Sequence, residues 1–94
     1  MKEFTRAFIF CQVEPMKEKD VVEELVKMEE VIEAHMITGE YDVLAVVQVR
    51  RQFLQADYET VFNSAIARVE GAKYVIDTNT VVGVASKTKI SESA

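Results

Sequence analysis

From Thr5 to Val13 the chain reads TRAFIFCQV, a run of Phe, Ile, Val and Ala apolar on both faces, which predicts a first strand. Glu14-Pro15 ends it, because proline donates no ladder hydrogen bond and biases the residue before it away from helix. Lys17 to Met28 then places Val21, Val22, Leu25, Val26 and Met28 at helical spacing, with Glu18, Lys19, Glu23, Glu24 and Lys27 on the other side. Val31 to Thr38 predicts a second strand carrying Glu33 and His35 on one face at period two. Tyr41 to Arg50 predicts a third, whose nearly unbroken apolar run requires cover on both faces. A second amphipathic helix is expected from about Gln52 to Val69, along the stripe Leu54, Tyr58, Val61, Phe62, Ala65, Ile66 and Val69, and Glu70-Gly71 closes it. Lys73 to Ala85 predicts a fourth strand, with Tyr74, Ile76, Thr78, Thr80, Val82 and Val84 on one face and Asp77, Asn79 and Val81 on the other.

The order βαββαβ with right-handed crossovers is the α+β, ferredoxin-like arrangement, a four-stranded antiparallel sheet with two helices on one face. The first and third strands, the most apolar, should be central; the second and fourth, which hold the charges, should be edges. Two helices cover only one side of such a sheet. About half the side chains of Ala7 to Val13 and Val43 to Val49 then face the uncovered side, and a second copy packed sheet to sheet is the economical cover, giving a dimeric α+β barrel. Residues 1–85 form this single domain, and residues 86–94, SKTKISESA, read as a polar tail without periodicity.

Composition narrows the function. The 94 residues are 49% hydrophobic and 29% charged, a globular balance with room for one core. Sixteen acids against eleven bases give a net charge of -5, with the bases scattered, so direct nucleic-acid binding is not expected. The doublet Arg50-Arg51 reads as the solvated end of a strand. No stretch has the length or apolarity of a membrane span or signal peptide, and with a single cysteine this predicts a cytoplasmic protein without membrane attachment.

Candidate chemistry is sparse. His35, the single histidine, reads as a structural or surface side chain, and Cys11 as a small buried hydrophobe. Tyr41, Tyr58 and Tyr74 fall where the pattern wants core or interface, and the pairs Glu23-Glu24 and Glu29-Glu30 read as solvated charge. No catalytic residue, cofactor or metal site is expected, since the acids lack ligand spacing and the histidine and cysteine lie far apart. The specialised stretch is Thr38-Gly39-Glu40-Tyr41-Asp42 between two apolar runs. On residue types alone it is a tight turn, as Gly and Asp crowd turns everywhere. The same residues also suit a zwitterion, with exposed amides for a carboxylate and Asp42, or Glu40 second, for an ammonium.

The string Thr38-Gly39-Glu40-Tyr41-Asp42-Val43-Leu44-Ala45, preceded by the strand Val31 to Ile37 and followed downstream by Asp77-Thr78-Asn79-Thr80-Val81-Val82, resembles the effector-binding domain of Lrp/AsnC transcriptional regulators, from about Ala7 to Val84. The helix-turn-helix usual in that family has no counterpart in these residues, so the resemblance is to the domain in its stand-alone form. What it implies is a non-enzymatic module that modulates transcription. A small effector, typically an amino acid, would bind where dimers meet in a ring, at a site built from Thr38, Gly39, Glu40, Tyr41 and Asp42 with Thr78, Thr80 and Val81. It also implies a homodimer through the helix-free face, a ring of such dimers, and co-assembly with a full-length regulator as one mode of action.

Two other readings share the βαββαβ order. One is a small dimeric α+β barrel enzyme of the cofactor-independent oxygenase type, whose pocket would gather His35, Gln12, Gln48 and Asn63. The other is an amino-acid-binding regulatory module of a biosynthetic enzyme, with its ligand beside the loop Glu14 to Lys17.

Overall fold

The computed structural model describes residues 3–51 and 58–83. Six elements follow one another: β1 (Glu3–Val13), α1 (Glu18–Leu25), β2 (Val31–Met36), β3 (Val43–Arg51), α2 (Tyr58–Glu70) and β4 (Val75–Gly83). They form a four-stranded sheet in the order β2-β3-β1-β4 with every neighbouring pair antiparallel. The apolar strands β1 and β3 are therefore central and the mixed strands are edges, the ferredoxin-like arrangement that the pattern predicts.

Alternation along the central strands assigns the two faces. Ala7, Ile9, Cys11 and Val13 of β1 and Val43, Ala45 and Val47 of β3 point to the helices and are buried, joined there by Val21 and Leu25 of α1 and by Phe62, Ala65 and Val69 of α2. Burying each larger apolar side chain contributes about 1.5–3 kcal/mol, so this layer fixes the register. Phe8 and Phe10 face the other way beside Val46 and Leu44, and among the described residues no helix covers them. Glu33 and His35 stand on that same face, opposite Val46 and Leu44.

Where element ends differ from the sequence pattern, local hydrogen bonds explain the difference. The helix expected to reach Met28 stops at Leu25, because Lys27 and Met28 donate to the carbonyls of Glu24 and Leu25, three residues back, and Val31 donates to Met28 in the same way. This tightening turns the chain quickly enough to deliver Val31 to β3. β4 starts at Val75 and not at Lys73: Tyr74 has φ 73°, a left-handed conformation incompatible with a ladder, and Val75 donates to Ala72 across the turn. β2 ends at Met36 and β3 begins at Val43, with Ile37 N–H donating to the Asp42 carbonyl at 2.9 Å to close the loop between them. At the start of β4 the strict alternation of faces fails. Gln12 pairs with Asp77 but Val13 with Val75, leaving Ile76 as an extra, exposed residue. The expected helix start at residues 52–57, the strand end at residues 84–85 and the tail 86–94 lie outside the described residues.

No helix among the described residues is long and apolar enough to cross a membrane.

Candidate ligand corner

The loop 37–42 sits at the end of the sheet where β1 finishes, and Asp42 is its anchor. The Asp42 N–H donates to the carbonyl of Cys11 at 2.9 Å, while its Oδ2 accepts the N–H of Val13 at 2.8 Å. With the Ile37 bond, one residue thus ties β2, β3 and β1 together. Tyr41 follows from that anchoring: its ring lies 5.7 Å from the ring of Phe10, centroid to centroid, tilted by 48°. Phe10 belongs to the helix-free face, so the corner and that face touch at this aromatic pair.

The other half of the loop is open. Thr38, Gly39 and Glu40 are exposed, and Gly39 has φ 120°, a conformation L side chains rarely adopt. The Gln12 side-chain amide donates to the Glu40 carbonyl at 3.3 Å, from the neighbouring β1. A fixed base with an exposed, glycine-containing lip leaves backbone groups accessible to a small polar ligand. The Asp42 carboxylate still has acceptor capacity beyond its bond to Val13.

Thr78, Thr80 and Val81 lie on β4, on the far side of β1 from the loop, about two strand spacings or roughly 10 Å away. They do not share a face. Thr78 and Thr80 stand opposite Cys11 and Ile9 on the helix side, and Val81 stands opposite Phe8 on the helix-free side. The Thr80 hydroxyl donates to Glu70 Oε2 at 2.6 Å. One protomer therefore does not bring all eight residues together, and a site containing them all has to be composite.

Gln12 and Phe10 are the neighbours of the corner that the sequence did not assign to it. Gln12 is a polar residue at the end of an apolar strand, which is the available signal; that it meets Glu40 depends on β1 pairing with a strand far along the chain.

The side chains that an enzyme pocket would gather are dispersed. His35 Nε2 is 3.0 Å from Glu33 Oε1 on exposed β2. Gln48 accepts from Arg6 Nε at 2.5 Å at the opposite end of the sheet from Gln12, and Asn63 is exposed on α2. No polar or charged side chain is buried among the described residues. Cys11 is fully buried, its Sγ donating weakly to the Ile9 carbonyl at 3.8 Å. Burial pushes its thiol from 9.0 up to about 11, and the Glu70 carboxylate adds to the rise, so at neutral pH it is a protonated, unreactive hydrophobe. Among the described residues no group of three or more His, Cys, Asp or Glu side chains is placed to hold a metal ion.

The loop after β1 is a four-residue turn in which Lys17 N–H donates to the Glu14 carbonyl at 3.0 Å, with Pro15 second and Met16 third at φ 68°. That is the type II pattern, which favours glycine at the third place. Across from it the Glu14 N–H donates to the Tyr74 carbonyl at 3.0 Å, and the ammonium groups of Lys17 and Lys73 lie 4.8 and 5.0 Å from the Tyr74 ring centroid.

Comparison with known proteins places this geometry. The model of the Lrp/AsnC ligand binding domain matches residues 6–88. A hypothetical protein of Pyrococcus horikoshii, known from its crystal structure, is 27% identical, with a TM-score of 0.62 over 87% of this chain and 92% of that one. Escherichia coli AsnC superposes with a TM-score of 0.69 at 18% identity, over 89% of this chain but 53% of AsnC. The transcriptional regulator NMB0573 of Neisseria meningitidis, solved as its L-Met complex, gives 0.58 at 20% identity, over 93% and 52% of the two chains. At these two lower identities the likeness is one of fold. No curated protein matches at a significant level.

Proposed function

Because the chain belongs to the family of the Lrp/AsnC ligand binding domain, we propose that it senses a small effector, an amino acid, and transmits its binding by changing how copies of the chain assemble. The effector sits on Thr38, Gly39, Glu40, Tyr41 and Asp42 of one protomer, and Thr78, Thr80 and Val81 are supplied by another protomer where pairs meet. Pairs form through the helix-free face, and pairs join into a ring. A ligand that binds one assembly better than another shifts the balance between them, and co-assembly with a full-length regulator carries that shift to transcription in the cytoplasm.

The observation that supports this reading most is the division of the corner into an anchored base at Asp42 and an exposed lip at Thr38 to Glu40. The dispersal of His35, Gln12, Gln48 and Asn63 gives the enzyme alternative no comparable support. That a transcriptional regulator of the same fold was solved as its L-Met complex is consistent with an amino-acid ligand.

Calorimetry against the twenty amino acids, paired with light scattering on the eluting protein, tests it. The expected result is binding of one chemical group of amino acids with a change of assembly size. In Asp42→Asn, which keeps an acceptor for Val13 but removes the charge, binding should weaken by about tenfold, the loss of one charge-assisted contact. A monomer indifferent to all twenty would defeat the proposal, and unchanged affinity in Asp42→Asn would remove Asp42 from the site.

A further inference from the structure

The end of β1 grips the loop 37–42 in two ways. Its odd residues act through the backbone: the Cys11 carbonyl accepts the Asp42 N–H at 2.9 Å, and the Val13 N–H donates to Asp42 Oδ2 at 2.8 Å. Its even residues act through side chains: the Phe10 ring lies 5.7 Å from the Tyr41 ring, and the Gln12 amide donates to the Glu40 carbonyl at 3.3 Å. Phe10 and Gln12 share the helix-free side of the strand by period two. Consecutive residues of β1 thus hold Glu40, Tyr41 and Asp42, which are consecutive in the loop.

The backbone bonds, together with the Ile37 bond to Asp42, already close the loop. The two side-chain contacts add a restraint that closure does not need. Gly39, at φ 120°, is the freest joint of the loop, since glycine has the widest choice of backbone conformations. A loop fixed only at Ile37 and Asp42 would let Thr38, Gly39 and Glu40 move about that joint. Phe10 and Gln12 restrain it at Tyr41 and Glu40. Gln12 is placed to do so because the last rung between β1 and β3 joins Cys11 to Val43, so beyond it β1 faces the loop in place of a strand.

We propose that Phe10 and Gln12 are positioning residues for the effector corner: by holding Tyr41 and Glu40 they fix the shape of the lip Thr38 to Glu40 before a ligand arrives. The role rests on the corner being the effector site. A lip ordered in advance loses less freedom on binding, so it binds more tightly than the same residues on a loose loop. Neither side chain has to touch the ligand. Phe10→Leu keeps apolar bulk on the helix-free face but removes the ring that Tyr41 packs on, and Gln12→Leu removes the donor to Glu40. Both leave Asp42 and its bonds in place.

Backbone relaxation by NMR, combined with calorimetry against the twenty amino acids, tests the assignment. In the parent, order parameters at Glu40 and Tyr41 should be those of rigid backbone, about 0.85, and in both leucine variants they should fall toward about 0.6. At Ala45, in the core of β3, they should stay at the parent value. Affinity for the amino acid that the parent binds should drop about three- to tenfold in each variant, the range that one aromatic pair or one hydrogen bond spans. Phe10→Tyr, which keeps the ring, should match the parent in both readouts. Variants whose lip stays rigid overturn the proposal, whether or not their affinity changes. So does loosening at Ala45 equal to that at Glu40, which would make the two side chains structural only. If the parent binds an amino acid and both leucine variants bind it equally well, this role alone fails; if the parent binds none of the twenty, the effector reading fails and takes the role with it.

Discussion

The carboxylate of Asp42 accepts the backbone N–H of Val13 at 2.8 Å, so a side chain from the β2–β3 loop completes the hydrogen bonding at the end of β1. Removing it leaves a partly buried N–H without its acceptor. Asp42→Ala should lower stability by about 1–3 kcal/mol, and Asp42→Asn, which still offers an oxygen, by less than about 1 kcal/mol. Urea melts of the three proteins check this. Equal losses in both variants would mean that the charge and not the hydrogen bond holds the corner.

Gly39 has φ 120°, and a Cβ built there meets nothing within 4 Å. The penalty of a side chain is therefore backbone strain alone. Gly39→Ala is expected to destabilise by about 1–3 kcal/mol without disturbing the core, visible as a lower urea midpoint with an unchanged slope.

Met16 presents the opposite case. It occupies the glycine-favouring place of its turn at φ 68°, with its side chain 90% exposed, so no packing is lost when it is removed. Left-handed strain of about 1–2 kcal/mol is partly offset by the greater chain entropy of glycine, about 0.5–1 kcal/mol. Met16→Gly should stabilise by about 0.5–1 kcal/mol, and Met16→Val, with its branched Cβ, should destabilise. A thermal shift of either variant in the wrong direction contradicts the type II assignment.

The buried thiol of Cys11 gives a pH signature. Its pKa is raised on folding from 9.0 to about 11, so the folded state holds the proton more tightly than the unfolded chain. The associated stability is complete below about pH 9 and is lost as pH rises through about 11. Relative to Cys11→Ala, the parent should lose up to about 2–3 kcal/mol over that window, at about 1.4 kcal/mol per pKa unit. Thiol labelling at pH 8 should be slow in native protein and fast in denaturant. Rapid labelling of the native protein would show Cys11 to be accessible.

The fold was legible because hydrophobic alternation and turn signals agree along most of the chain. Uniformly apolar β1 and β3 announced themselves as central, and Glu33 and His35 marked β2 as an edge. What the pattern did not reveal are breaks made by hydrogen bonds between distant residues. Ile76 fits the alternation of β4 in sequence, yet the shift from Asp77 to Val75 against Gln12 and Val13 displaces it. Tyr74 looks like the start of a strand, but its positive φ excludes it from the ladder. At the corner, Gly39 carries a visible signal, whereas the role of Asp42 is set by Val13 and Cys11, remote in sequence. The separation of Thr78 and Thr80 from Val81 onto opposite faces follows from period two; their distance from the loop follows from strand order, which no local pattern encodes.

That strand order also constrains synthesis. β1 emerges from the ribosome before both β3 and β4, yet it lies between them, with Ala7 against Val47 on one side and Val82 on the other. The central strand of the nascent chain thus waits, apolar and half-paired, until β4 has been added. Such long-range closure makes for slow folding and an interval of vulnerability to aggregation, so a growing chain of this kind should engage a holding chaperone through Phe8 and Phe10 until β4 arrives.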